Sequence, residues 1–384
     1  MPQMHAVRRD RAAAVAASVG ADAVLITSGV NVRYLTGLVS SNAAVLIPVR
    51  GASAGSGSGG SSPLASATVL GTDSRYAGTA ERACQDVELV IERDVGTALV
   101  RRALADGMRT IAFEDLEMTV HRYRELTGSA AGPGRAGPEL SAVGTAIDEL
   151  RMVKDEEEIE LLARACSITA QAFSAVLDRL CPGVTEREYA TALERTMIDL
   201  GADGLAFDSI VASGPNGAIP HHTPSGRQFE AGDLVTVDCG AQCGGYHADM
   251  TRTVALGKPA TWQREIYQLV AEAQAAGVAA ARCGMDVTDL DAVARDMIEA
   301  TGHGGHFGHG LGHGVGLEIH EAPIIGYGRT GTLQDRVPIT IEPGIYLPAM
   351  GGVRIEDTLV VRAGAGAAGS AQPLTTITRE LLVL

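Results

Sequence analysis

Asp233-Leu-Val-Thr-Val-Asp-Cys-Gly-Ala-Gln-Cys-Gly-Gly-Tyr-His-Ala-Asp-Met-Thr-Arg-Thr-Val254 is the stretch on which the reading of the fold turns. Two apolar runs rich in β-formers flank Cys243-Gly244-Gly245, which is a hairpin signal. The turn centre falls near residue 244, and Asp238 and Asp249 stand almost equidistant from it. They are expected opposite or diagonal across the strand pair, with Cβ atoms about 5–8 Å apart. Like charges so placed inside a sheet repel unless one is protonated or a cation lies between them. Taken alone, the pair also reads as two solvated strand carboxylates.

The same device recurs from Pro338 to Val361, where Glu342 and Glu356 flank a Gly-bearing turn centred near residue 349. Two hairpins, each with a facing carboxylate pair, suggest two pseudo-equivalent halves closing on a cation site. Four hard oxygen donors suit divalent ions such as Mn²⁺, and a site this anionic accommodates two. A further donor is sought in Gly302-His-Gly-Gly-His-Phe-Gly-His-Gly-Leu-Gly-His-Gly-Val-Gly-Leu-Glu-Ile-His-Glu321. Its glycines permit close backbone approach, and its histidines can ligate a metal or relay protons. Such a tract is a weak metal signal by itself and gains force beside the two hairpins. His303 and His306 read as turn or solvent residues, and His309 and His247 receive no role.

The wider chain is compatible with a two-domain α/β enzyme. It has 384 residues, 46% hydrophobic and 20% charged, with a net charge of −15. That balance supports a real core and disfavours nucleic acid as a partner. Six cysteines are too sparse for a disulfide scaffold and point to a reducing, cytoplasmic setting. Cys239 and Cys243 read as small hairpin residues, since no second Cys/His pair stands at zinc-site spacing. No run of about 18 uninterrupted apolar residues is present, so no membrane span is expected. Arg8, Arg9 and Arg11 before an Ala-rich run resemble an export signal, but an amphipathic first helix from Arg8 to Val19 is the better reading.

Strands are expected at Ala23–Thr27, Ala43–Val49, Thr68–Gly71, Val87–Glu92 and Thr110–Phe113, alternating with helices as in a small α/β domain. Asn31 to Gly37 forms a helical or turn segment, and Gly51 to Ser66 reads as a floppy hairpin tip. A second soft stretch, Gly128 to Pro138, precedes an acidic helix start at Glu149–Glu158 and a long helix through Leu180, stopped by Pro182-Gly183. The domain boundary is placed near residue 150, giving domains 1–148 and 149–384. A helix from Glu186 to Leu200, paired strands around 205–255, helices from Trp262 to Thr301 and terminal paired strands complete the outline.

Together these residues resemble the pita-bread metallopeptidases, in the branch of Xaa-Pro aminopeptidases and Xaa-Pro dipeptidases (prolidases). The resemblance is carried by Val237-Asp-Cys-Gly240 with Ala248-Asp-Met-Thr-Arg-Thr253, by Gly312-His-Gly-Val-Gly316 with Ile319-His-Glu321, by Ile341-Glu-Pro-Gly-Ile-Tyr346, and by Gly352-Val-Arg-Ile-Glu-Asp357. Asn31 to Gly37 and Thr72-Asp-Ser-Arg-Tyr76 extend it into the N-terminal half, so that it covers the chain apart from the 51–66 insertion. It implies a creatinase-like α/β domain followed by a pita-bread domain with pseudo-two-fold halves.

It further implies a dinuclear centre: Asp238, Asp249 and Glu356 on one metal, and Asp249, His313, Glu342 and Glu356 on the other. Asp249 and Glu356 would bridge the pair. Two ions about 3.5–4 Å apart share a water or hydroxide as nucleophile and polarise the scissile carbonyl. Mn²⁺ comes first, with Co²⁺ or Zn²⁺ as alternatives. Of Pro220-His221-His222, the histidine directly after Pro220 matches a family position that handles the tetrahedral intermediate, so His221 is chosen over His222. His320 matches the family's second site histidine, Glu342 can double as general base, Arg354 matches a substrate-network arginine, and Tyr346 supports the carboxylates. Asp73-Ser-Arg75 reads mainly as packing, with a cleft or subunit-contact role as the alternative.

The expected activity is hydrolysis of the peptide bond preceding proline, on peptides with proline at the second position, by a homodimer. A prolidase restricted to dipeptides is the alternative within the branch. A creatinase-like enzyme or binding scaffold without metals fits less well because all five ligand positions stand. A methionine aminopeptidase needs no N-terminal domain of this size.

Overall fold

The computed structural model describes residues 2–49, 67–128, 137–364 and 369–384. The expected hairpin tip at 51–66 and most of the soft stretch at 128–138 lie outside the described residues. The chain divides into two units, Met1–Arg151 and Met152–Leu384.

The first unit is built on a six-stranded sheet, in spatial order Glu88–Ile91, Val69–Thr72, Ala43–Pro48, Ala23–Ile26, Thr110–Phe113, Glu139–Ala142. The pairs on either side of Ala23–Ile26 mix directions: it runs antiparallel to Ala43–Pro48 and parallel to Thr110–Phe113. Ala23–Ile26 is buried at all four positions, as a central strand covered on both faces must be. Helix Val95–Ala105 packs on this sheet, with Leu99, Val100 and Ala103 in a core shared with Leu25, Leu46 and Ile111. The first helix spans Pro2–Ser18. Asp73 is a buried carboxylate gripped by Arg75 (Nε–Oδ1 2.9 Å, Nη2–Oδ2 2.7 Å) and by Asn42.

The second unit holds two helix pairs, Glu156–Ala175 with Glu186–Asp199 and Thr261–Ala280 with Val287–Ala300, each backing antiparallel strands. The long helix expected from Glu149 is interrupted. One helix ends at Met152 and the next begins at Glu156, because Asp155 caps the new start: its carboxylate accepts from Glu158 N (2.9 Å) and Glu158 Oε2 accepts from Asp155 N (2.8 Å). Thr185 and Glu188 cap Glu186–Asp199 in the same way. In the second helix pair the apolar residues fall at helical spacing, Ile266, Val270, Ala273 and Leu290, Ala294, Ile298. They bury against Ile339, Ile341, Leu359 and Val361 of the sheet.

Both carboxylate-bearing hairpins form. Strand Leu234–Cys239 pairs antiparallel with Met250–Ala255, and the ladder continues past Ala241–Cys243 and Tyr246–His247 to a turn at Gly244-Gly245. Those two residues have φ of 58° and 86°, the left-handed pair that a two-residue hairpin turn requires and that glycine accepts without strain. In the second hairpin Pro338–Ile341 pairs with Asp357–Arg362, and Gly344–Leu347 with Gly351–Arg354.

Candidate metal centre

Register decides where the acids stand. Asp238 faces Thr251, and Ala248 bonds back to Ala241, so Asp249 sits diagonal to Asp238 at the point where the ladder passes from one sheet to the next. In the second hairpin Ile341 faces Asp357 and Gly344 faces Arg354, which leaves Glu342 and Glu356 across from one another in the gap between the two paired segments. His313 lies on the short strand Gly312–Gly314, wedged between Glu321–Ile325 and Pro338–Ile341. A Cβ on Gly312 would fall 2.0 Å from Thr340 O, and one on Gly314 would fall 2.2 Å from Ala322 O. Only glycines on both sides of His313 let that strand sit so deep.

Four of these side chains stand close together, and Asp238 lines the same cavity. One ligand atom from each of Asp249, His313 and Glu356 lies within 4.8 Å of the other two. His313 Nε2 is 3.5 Å from Asp249 Oδ2 and 3.4 Å from Glu342 Oε1. Its Nδ1 donates to Gly314 O (3.0 Å), which leaves the Nε2 lone pair facing the acids. Burial pushes His313 down to about 4, so the ring is neutral and free to ligate at physiological pH.

Burial, and then repulsion from neighbouring carboxylates, holds Asp249 and Glu356 well above the usual carboxylate range. Burial likewise pushes Glu342 up to about 8, against the pull of Arg354. Arg354 is the guanidinium that offsets the charge of Asp249, Glu342 and Glu356. Among the described residues, Asp238 Oδ1 and Glu356 Oε1 are buried with no hydrogen-bond partner. Unmatched acceptor oxygens in an acidic, buried cluster are what a divalent cation would satisfy, so the donor set fits one.

Arg354 organises the wall beside the cluster. Its Nη2 donates to Asp238 Oδ2 (2.6 Å), its Nε to Thr251 Oγ1 (3.0 Å), and its Nη1 to Tyr346 Oη (2.9 Å) and Pro220 O (3.3 Å). Thr251 Oγ1 then donates to Glu356 Oε2 (2.7 Å). Tyr346, already accepting from Arg354, donates to His309 Nε2 (2.9 Å), whose Nδ1 donates to Gly310 O (2.8 Å). His309 therefore belongs to this network, although sequence reasoning gave it no role. Its only signal was its place in the glycine-rich tract, which has no periodicity to read.

Asp238, Asp249, His313, Glu342, Arg354, Glu356, His221 and His320 all line one cavity of about 480 Å³, within the range of small-ligand sites. Phe207, Ile210, Ile319 and Ile324 give it an apolar side. His320 meets the His313 ring edge-on, with centroids 4.5 Å apart. The turn carrying His320 is anchored by a buried ion pair, Lys154 Nζ to Glu321 Oε2 at 2.6 Å, and Glu321 Oε1 accepts from Glu318 N (3.1 Å). His222 also borders the cavity, and its Nε2 lies 2.8 Å from Glu186 Oε2. Cys239 and Cys243 are both buried free thiols, and Cys239 is pushed upward by burial.

Comparison with known proteins places this geometry. Residues 160–363 match metallopeptidase family M24, and residues 8–153 match the creatinase/prolidase N-terminal domain. An uncharacterized peptidase of Bacillus subtilis, YqhT, is 37% identical over 371 residues, spanning 95% of this chain and 97% of its own. The Xaa-Pro dipeptidase of Pyrococcus furiosus is 45% identical over 244 residues, 64% of this chain and 69% of that protein. Among solved structures, the Xaa-Pro dipeptidase of Bacillus anthracis superposes with a TM-score of 0.88 at 33% identity, covering 99% of this chain and 100% of its own. The X-Pro aminopeptidase of Thermotoga maritima gives 0.84 at 34% identity, covering 98% and 99%.

Proposed function

Because the chain belongs to metallopeptidase family M24, we propose that it hydrolyses the peptide bond preceding proline in peptides with proline at the second position. The observation that carries the reading is the convergence of Asp249, His313 and Glu356 in a cavity whose acidic oxygens, Asp238 Oδ1 and Glu356 Oε1, lack protein partners. Asp238, Asp249, His313, Glu342 and Glu356 would hold two divalent ions, Mn²⁺ before Co²⁺ or Zn²⁺. Bound there, the ions supply Lewis acidity toward the carbonyl and a water acidic enough to attack near neutral pH.

The chain's own groups supply the rest. Glu342, which lines the cavity beside His313, takes the proton of the attacking water. The amide nitrogen of proline carries no hydrogen, so the departing secondary amine needs that proton delivered before it leaves. His221 and His320 face the cavity as donors for the oxygen that gains charge. Arg354 holds Asp238 and, through Pro220 O, the segment bearing His221.

The relatives named above include both a dipeptidase and an aminopeptidase of Xaa-Pro peptides, and the primary reading here is the Xaa-Pro peptidase without restriction to dipeptides. A homodimer in the cytoplasm completes the proposal. It is supported by the resemblance to the prolidase branch and by six free cysteines. No helix among the described residues is long and apolar enough to cross a membrane.

The test is hydrolysis of Xaa-Pro dipeptides against tri- and tetrapeptides with proline second, with metal content measured in parallel. Cleavage before proline that is lost to chelator and restored by Mn²⁺ supports the reading. Cleavage indifferent to chelator, or none on any Xaa-Pro peptide, overturns it.

A further inference from the structure

Glu186 is the first residue of helix Glu186–Asp199 and is fully buried, yet it has no part in the metal cluster. Its carboxylate accepts six hydrogen bonds, and they divide cleanly between its oxygens. Oε1 takes Ser213 N (2.8 Å), Ser213 Oγ (2.7 Å) and Asn216 Nδ2 (2.9 Å). Oε2 takes the His222 ring (2.8 Å), Ser225 N (3.0 Å) and Ser225 Oγ (2.6 Å). One oxygen therefore grips the chain before residue 217 and the other grips it after residue 221. His221 lies on the bridge between.

The donors are themselves oriented toward a negative charge. Ser213 Oγ accepts from Arg227 Nη1 (2.7 Å) and Ser225 Oγ accepts from Arg227 N (3.0 Å), so each hydroxyl has its proton left for Glu186. Arg227 is fixed in turn by a fork onto Asp233, at 2.6 and 3.0 Å. The helix N-terminus favours the same charge. Burial opposes ionisation of Glu186, but bonds from Ser225, Asn216, His222 and Ser213 outweigh it and hold the carboxyl down at about 2. On the other side of His221, Arg354 Nη1 donates to Pro220 O, tying the same bridge to the guanidinium that holds Asp238.

We propose that Glu186 is the positioning residue that sets His221 in the cavity, its two oxygens pinning both flanks of the segment that carries that histidine. The inference rests on the reading of the cavity as the site of Xaa-Pro hydrolysis. It also assigns the two adjacent histidines different tasks: His222 completes the grip on Glu186, and His221 is thereby turned to the substrate.

Glu186→Gln keeps the volume and replaces one acceptor oxygen by an NH₂ group that must face three donors. The experiment measures kcat on an Xaa-Pro dipeptide and metal content for wild type, Glu186→Gln, His221→Ala and the double variant. Expected are a fall in kcat of about 10²-fold in each single variant, which is the size seen when one oxyanion donor is removed. Metal content stays at the wild-type value. In the double variant the two losses do not multiply, and kcat falls no more than about 2-fold below His221→Ala alone, because residues acting as a unit are non-additive.

Losses that multiply, or metal lost from Glu186→Gln, overturn the inference and leave the Xaa-Pro reading standing. A wild type without Xaa-Pro hydrolysis overturns both. Where circular dichroism shows Glu186→Gln unfolded, Ser225→Ala, which removes one of the six bonds, enters the same cycle and must show the same non-additivity.

Discussion

Thr251 stands directly across the strand pair from Asp238, and its hydroxyl donates to Glu356 of the other hairpin at 2.7 Å. The same oxygen accepts from Arg354 Nε, which leaves its single proton aimed at the carboxylate. One small side chain of the first hairpin thus fixes an acid of the second. Thr251→Val removes the bond at nearly constant volume and is expected to weaken metal affinity about 10- to 100-fold, the usual effect of losing a partner that orients a ligand. Thr251→Ser keeps the hydroxyl and should bind as wild type. Isothermal titration with Mn²⁺ compares the three, and equal affinity in Thr251→Val would refute the role.

Asp249 sits where the first hairpin's ladder changes sheet, and its Oδ2 lies 3.5 Å from His313 Nε2. Asp249→Asn is expected to drop metal content below two per chain and to abolish hydrolysis. Elemental analysis of the purified variant checks the first, and a full complement of metal with normal turnover would remove Asp249 from the site.

Lys154 and Glu321 form an ion pair exposed by only 1% and 3%. Lys154→Met leaves a buried carboxylate without its cation, at a cost of about 3–5 kcal/mol. Urea unfolding measures it, and Lys154→Met combined with Glu321→Leu should recover part of the loss by removing both charges. Because Glu321 follows His320, the single variant should also depress turnover before it depletes metal.

His309 gives a pH signature in the metal-free protein. Burial, with the Arg354 charge adding to it, holds the ring down at about 4 against an ordinary 6.5. Between those values the unfolded chain binds the proton and the folded chain does not. Stability contributed by the neutral ring is therefore complete above pH 6.5 and is lost as pH falls toward 4. His309→Gln should flatten the dependence of unfolding free energy on pH in this window by about 1.4 kcal/mol per pH unit, one proton's worth. An unchanged slope would mean His309 is charged in the folded protein.

The parts of this molecule that the sequence makes legible are those governed by local chemistry. Gly244-Gly245 announces a two-residue turn, and once its centre is known the register of Asp238 and Asp249 follows within one pairing step. The turn near 349 does the same for Glu342 and Glu356, although its left-handed residue is Ala349 (φ 62°) rather than a glycine. The break at 153–155 was within reach too, since Asp155 and Glu158 carry the spacing of a capping box. An unbroken helix is expected only if the acidic residues are taken as mid-helix charge. The contributions of Thr251, His309 and Glu186 are of another kind. Thr251 acts on a carboxylate 105 positions away, His309 on a tyrosine 37 away, and Glu186 on loops 27 to 39 away. No periodicity encodes such meetings, and each residue type has commoner uses.

Two of the four acids precede residue 255 and two follow residue 338, with the helix pair Thr261–Ala280 and Val287–Ala300 lying between them in sequence. Neither segment can chelate well alone. A polypeptide cut in the connection between Ala255 and Thr261 would yield fragments with two acids each, and a divalent ion would add to the apolar core they share in favouring reassociation, so that it would serve as a latch as well as a reagent. Capture of metal by a refolding chain is then a late event, a chemical report that distant parts of the topology have met.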